Sequence, residues 1–176
     1  DHHKSGTDRI FEGYKKLDIK DVDYILNLQG DEPSIDENDI INLNNMMIMT
    51  NSSIGTLAAE IKDEKMFSNK NIVKVETKER LNDKNSSLAL TFKRNHISKR
   101  EENIYHHIGI YAYKVNTLEK FIKLNQSKNE IKKKLEQLRA LDNNLEINVS
   151  LAKSSPIGID TNEDYVALKK IMEYKS

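Results

Sequence analysis

Two carboxylates in this sequence stand just after apolar runs. Asp31 lies in Gln29-Gly30-Asp31-Glu32-Pro33 and Asp160 in Gly158-Ile159-Asp160-Thr161. If the two strand ends converge, two hard oxygen ligands face one cleft, which suits Mg²⁺ carrying a nucleoside triphosphate. Taken singly, each aspartate is better explained by turn chemistry. A second segment, His3-Lys4-Ser5-Gly6-Thr7-Asp8-Arg9, combines small hydroxyls, a glycine and a helix start. Backbone amides at such a start hold a phosphate or the polar edge of a base, although a plain helix cap gives the same spacing. His106, His107, Tyr111 and Tyr113 share one β-rich run. Alternation puts His107, Gly109, Tyr111 and Tyr113 on one face and His106, Ile108, Ile110 and Ala112 on the other. The isoleucine face reads as core; the His107/Tyr111 face reads as the wall of a polar cleft, with a satisfied structural histidine as the equal alternative for His107. Glu136 and Gln137 lie in Leu135-Glu136-Gln137-Leu138-Arg139, where they either bond sugar hydroxyls or stay solvated.

These groups need elements to carry them. Asp23–Leu28 reads as a buried strand, preceded by a helix with Ile10, Phe11, Tyr14 and Leu17 on one side and Thr7 or Asp8 as its cap. Asp36 caps a second helix through Ile40, Leu43 and Met47. Strands are predicted at Ile54–Ile61, Ile72–Glu76, Leu88–Phe92, Ile104–Val115 and Ile147–Ala152. Helices are predicted at Thr117–Leu124, Glu130–Leu141 and Asn162–Tyr174, with a turn at Pro156-Ile157-Gly158. Strands interleaved with helices imply a layered α/β fold with a mixed sheet, whose ligand loops gather beyond the strand C-termini.

Composition narrows the chemistry. The 176 residues suit one domain, and 28 basic against 28 acidic residues give a formal net charge of zero. That balance argues against nucleic acid held by a basic stripe and against a membrane-surface helix. The Lys132-Lys133-Lys134 run reads as the solvated face of a helix. No cysteine is present, so disulfides and thiolate sites are excluded. No apolar run approaches the roughly 20 residues that span a bilayer, and a cytoplasmic protein is expected.

In order along the chain, seven segments resemble the 3-deoxy-manno-octulosonate (Kdo) cytidylyltransferases, also called CMP-Kdo synthetases. They are HKSGTDRIFE at 3–12, NLQGDEP at 27–33, NIVKV at 71–75, TFKR at 91–94, HIGIYAY at 107–113, LEQLRAL at 135–141 and GIDTNED at 158–164. The resemblance implies a GT-A-like nucleotidyltransferase fold, a homodimer, and transfer of CMP from CTP to Kdo with release of pyrophosphate and participation of Mg²⁺. It implies that Asp31 and Asp160 bind the metal and that Ser5, Gly6 and Thr7 lie beside the cytidine. It further implies that Gln29, Arg94, His107, Tyr111, Glu136 and Gln137 hold Kdo, with Arg94 near the sugar carboxylate.

The chain departs from the family pattern at Ser98, Lys133 and Asn162, where a proline, an acidic residue and a proline are usual. It also has no match to the family's opening strand and basic loop, PARxxSxRLPGKPL. The expectation is therefore a single partial domain lacking the N-terminal nucleotide-binding unit, inactive alone and poorly soluble through exposed apolar sheet surface. A cytidylyltransferase for sialic acid or an amino-substituted Kdo is the nearest enzymatic alternative. A non-catalytic module that keeps the fold is the alternative of another class.

Overall fold

The computed structural model describes residues 3, 5–30, 34–94, 103–155, 165, 166 and 168–170. Its elements run α1 (Gly6–Leu17), β1 (Tyr24–Asn27), α2 (Glu37–Thr50), β2 (Ile54–Ala59), α3 (Glu64–Ser68) and β3 (Lys74–Thr77). They continue with β4 (Ser86–Lys93), β5 (Ile104–Lys114), α4 (Val115–Phe121), α5 (Lys128–Lys133), α6 (Gln137–Asp142) and β6 (Ile147–Leu151). The six strands form one mixed sheet in the order β1-β5-β2-β6-β4-β3, with a further pairing of β3 on β5. Only β2 and β6 pair in parallel. Pairings therefore run from β5 through β2, β6, β4 and β3 back to β5. The long strand β5 organises the ring: its first residues pair with β3, and its last ones with β1.

Both sheet faces are covered. One packs Tyr105, Tyr111, Tyr113, Phe92, Val75 and Val149 against Leu118 and Phe121 of α4, Leu135, and Leu138 of α6. The other packs Leu57, Ile108, Ile110 and Ala112 under Leu43 and Met47 of α2. Gly55 lets α2 come this close. A Cβ there would run into the Met47 thioether and meet Leu43 Cδ1 at 3.1 Å. The expected exposed apolar sheet surface is not found among the described residues. The large apolar side chain that a strand leaves exposed is Leu90, while Leu17, Ile41, Ile48, Met49 and Ile131 protrude from helices.

Three sequence expectations need correction. Ser5, not Thr7 or Asp8, caps α1, accepting from the Asp8 backbone N–H; Thr7 points inward and is buried. The helix expected over Glu130–Leu141 is two helices, because Lys134 adopts a left-handed backbone (φ 53°) between α5 and α6. Ser127 and Glu130 form a capping box at the start of α5, a signal already present in the sequence SKNE. The short helix α3 was not foreseen; Asp63 caps it and Phe67 anchors it. Tyr165, Val166 and Leu168 to Lys170 are helical, within the expected closing helix.

Candidate functional site

The odd-numbered face of β5 builds the candidate site, but as a buried aromatic wall rather than an open polar cleft. His107 and Tyr111 are each 7% exposed, because this face packs on α4 and α6 instead of on solvent. Phe92, His107, Tyr111, Tyr113 and Phe121 touch in series, with ring centroids 5.0 to 6.1 Å apart.

His107 has a defined tautomer. Thr56 Oγ1 donates to the carbonyls of Ile110 (2.6 Å) and Ile108 (3.3 Å), and so can only accept from His107 Nε2, 3.0 Å away. The proton is thereby assigned to Nε2, and Nδ1 is the ring's acceptor. Burial, aided by the nearby His106 and Arg94 charges, lowers the His107 pKa to about 3. The ring is neutral at physiological pH.

Tyr111 and Glu136 supply the other polar atoms of this wall. The Tyr111 hydroxyl and Glu136 Oε1 are buried and have no hydrogen-bond partner among the described residues. Burial raises the Tyr111 phenol well above its ordinary value, and the neighbouring Tyr113 and Glu136 push the same way. Glu136 stands where α6 begins, its Oε1 3.8 Å from the Arg139 guanidinium. Gln137, the next residue, is half-buried. At the far end of the aromatic series Tyr113 is shifted upward, first by burial and then by Glu136, while a hydrogen bond with Thr7 lowers it. The start of α1 thus meets the same cluster: Thr7 through Tyr113, and Asp8 through its attraction for Arg139. Ser5 is half-buried at the cap, and Gly6 is exposed.

The structure therefore brings together Thr7, His107, Tyr111 and Glu136. Arg94 lies at the margin, exposed, with Nη1 donating to the Asn71 carbonyl at 2.9 Å, and its charge is felt at His107. Gln29 is exposed beyond β1, whose last residue Asn27 is paired across to Tyr111. Asp31 and Asp160 lie outside the described residues, as do Pro156-Ile157-Gly158, Ser98 and Asn162. Among the described residues no three His, Asp or Glu side chains converge as a metal site. One contributor escaped the sequence reading. Arg139, read there as part of a helix motif, is 1% exposed, lies 4.8 Å over the Phe121 ring and forms a buried ion pair with Glu130. Its charge next to leucines at helical spacing was the available signal.

Similarity to known proteins agrees with this geometry. The cytidylyltransferase family profile matches residues 1–147. The 3-deoxy-manno-octulosonate cytidylyltransferase of Bartonella bacilliformis is 39% identical over 172 residues, covering 97% of this chain and 70% of its own length. The Brucella ovis protein of the same name is 41% identical over 163 residues, covering 92% of this chain and 64% of its own. Among solved structures, a CMP:2-keto-3-deoxy-manno-octonic acid synthetase complexed with CTP superposes with a TM-score of 0.85. It is 29% identical and covers 99% of this chain and 70% of that one. An apo UDP-glucose pyrophosphorylase, 15% identical at a TM-score of 0.64, shares the fold over 99% of this chain and 62% of its own. A mixed-sheet fold common to nucleotidyltransferases, a matched family profile and relatives at about 40% identity lead to one conclusion: the chain belongs to the cytidylyltransferase family, among the 3-deoxy-manno-octulosonate cytidylyltransferases.

Proposed function

We propose that the protein transfers the cytidylyl group of CTP to Kdo, giving CMP-Kdo and pyrophosphate. The observation that supports this most is the pair of buried atoms without hydrogen-bond partners among the described residues, the Tyr111 hydroxyl and Glu136 Oε1. An unpaired buried polar group costs about 1–3 kcal/mol, so two of them on one wall suit a ligand rich in hydroxyls. Glu136 would accept from sugar hydroxyls and Tyr111 would donate to one, while the neutral His107 offers Nδ1 as a further acceptor. Gln29 and Gln137 are assigned to the same sugar. Arg94 is assigned to its carboxylate, where a guanidinium fork fits. Ser5, Gly6 and Thr7 are assigned to the cytidine edge.

In the reaction the anomeric hydroxyl of Kdo attacks the α-phosphorus of CTP, and the bond to the departing pyrophosphate breaks. The protein contributes positioning and charge complementarity, with no covalent intermediate. Mg²⁺ is assigned to Asp31 and Asp160 on the chemistry of that donor set, since carboxylate oxygens are hard ligands; when bound it would neutralise phosphate charge. A homodimer in the cytoplasm, the compartment that holds CTP, belongs to the same reading.

Incubating the complete gene product with CTP and Kdo should yield CMP-Kdo and pyrophosphate in equal amounts. A preference for sialic acid or amino-Kdo would overturn the sugar assignment. CTP binding without turnover on any acidic sugar would favour a non-catalytic module instead.

A further inference from the structure

Arg139 faces two glutamates and bonds one of them. Its Nε and Nη2 donate to Glu130 Oε2 and Oε1 at 2.9 and 2.5 Å. Glu136 Oε1 lies 3.8 Å from the same Nη2, near enough for attraction but too far for a hydrogen bond. Among the described residues this oxygen has no hydrogen-bond partner at all. The two carboxylates also differ in their surroundings. The Glu130 side chain is 5% exposed, like the 2% of Arg139, whereas that of Glu136 is 30% exposed. Glu130 is fixed from its own end of α5 as well. The Ser127 backbone N–H donates to its Oε2 at 3.1 Å, and Gln126 Nε2 donates to its Oε1 at 3.2 Å. The Phe121 ring, 4.8 Å from the guanidinium, supports the cation from another side.

A guanidinium favours the carboxylate that it can hold with two parallel bonds in a dry setting. Of the carboxylates that attract Arg139, Glu130 acts most strongly, then Glu136, then Asp8. Glu136 is therefore next in line for the fork. We propose that Glu130 is a positioning residue for sugar binding: by occupying the Arg139 fork it leaves Glu136 Oε1 open to accept from a substrate hydroxyl. The inference rests on the function proposed above, in which Glu136 holds the sugar. Glutamine at position 130 keeps the shape but offers the fork one acceptor and no charge. The guanidinium then closes on Glu136, and an internal ion pair competes with the ligand for the same oxygen. Such competition weakens the bound ground state and the transition state alike, so it raises KM and spares kcat.

The test is steady-state kinetics on the complete gene product with CTP and Kdo, with thermal unfolding alongside. Glu130→Gln should raise the KM for Kdo about tenfold, with kcat and the KM for CTP unchanged. Glu136→Gln should also raise the Kdo KM. Adding Glu130→Gln to it should bring no further rise, since no second carboxylate remains to be captured. Glu130→Asp, which keeps the charge on a shorter stem, should act in the same direction by a smaller factor. It serves if Glu130→Gln does not fold. Ser127→Ala removes the hydroxyl of the α5 cap and leaves the ion pair, so it should lower the unfolding temperature without moving the Kdo KM. An unchanged Kdo KM in the folded Glu130 variant, or an equal rise on top of Glu136→Gln, would make Glu130 a plain structural residue and overturn this inference alone. An unchanged Kdo KM in Glu136→Gln would remove Glu136 from the sugar site, and this inference with it. A wild type that prefers another acidic sugar would overturn the sugar assignment, and the same variants read on that sugar would decide the role of Glu130. A wild type that turns over no acidic sugar would sink the proposed reaction and this inference together.

Discussion

Arg139 lays its guanidinium fork on the Glu130 carboxylate, Nε to Oε2 at 2.9 Å and Nη2 to Oε1 at 2.5 Å. Both residues are almost wholly removed from water, at 1% and 4% exposure. Glu130 belongs to α5 and Arg139 to α6, so the pair joins the two helices across the left-handed turn at Lys134. Glu130 is committed further: it closes the capping box with Ser127 and accepts from Gln126 at 3.2 Å. The same guanidinium faces Glu136 and covers Phe121. The helix that presents Glu136 to the candidate site is thus held in place by a charge pair rather than by apolar packing alone.

Removing one partner should be far worse than removing both. Glu130→Gln or Arg139→Met should each lower unfolding stability by about 3–5 kcal/mol, because an uncompensated charge or a broken fork stays buried. The double variant with apolar residues of similar volume should recover most of the loss. Burial raises the Glu130 carboxyl, but hydrogen bonds from Arg139 and Gln126 and the Arg139 charge bring it below its ordinary 4.5. Its stabilisation is therefore complete above that value and is lost as pH falls through the lower, folded one. Urea unfolding of wild type and Glu130→Gln at neutral and acid pH measures this; equal midpoints at neutral pH would refute it.

His107 should add to the loss of stability on the acid side, starting at a higher pH. Its folded pKa of about 3 lies below the ordinary 6.5, so between these values the unfolded chain binds a proton that the folded chain does not. Stability contributed by the neutral ring is complete above pH 6.5 and erodes as pH falls toward 3, by at most about 1.4 kcal/mol per pH unit. The His106 pKa is also lowered, chiefly by burial, so comparison with His107→Gln isolates the buried ring. The variant should show a shallower fall in unfolding free energy between pH 6.5 and 5. An identical slope would contradict the burial argument.

Tyr111→Phe should separate function from stability. Deleting a buried hydroxyl without a partner relieves a desolvation penalty, so the unfolding temperature should hold or rise. The same change should reduce kcat/KM for Kdo about tenfold to a hundredfold, with the KM for CTP unchanged. A variant that loses stability and keeps Kdo turnover would show that the hydroxyl serves the fold.

Much of this protein is local enough to be legible in its sequence. Period-two alternation in β5 sorted its faces correctly, since a side chain's face is set by the pleat and not by its neighbours. The Asp36 cap and the strands around it follow from residue type over a few positions. The family follows from ordered motifs such as QGDEP, HIGIYAY and LEQLR, whose spacing survives without coordinates. Tertiary structure decided what each face meets. The His107/Tyr111 face looked polar by composition, yet α4 and α6 cover it, and that burial is what lowers the His107 pKa and leaves the Tyr111 hydroxyl unpaired. The break at Lys134 was likewise invisible, because lysine has no local preference for a left-handed backbone. Most plainly, the bonds from Asp39 to Lys153 and Ser154 and the Arg139–Glu130 pair join residues whose types allow many partners. Chain folding brings particular ones within hydrogen-bond reach, and no pattern within either segment specifies the other.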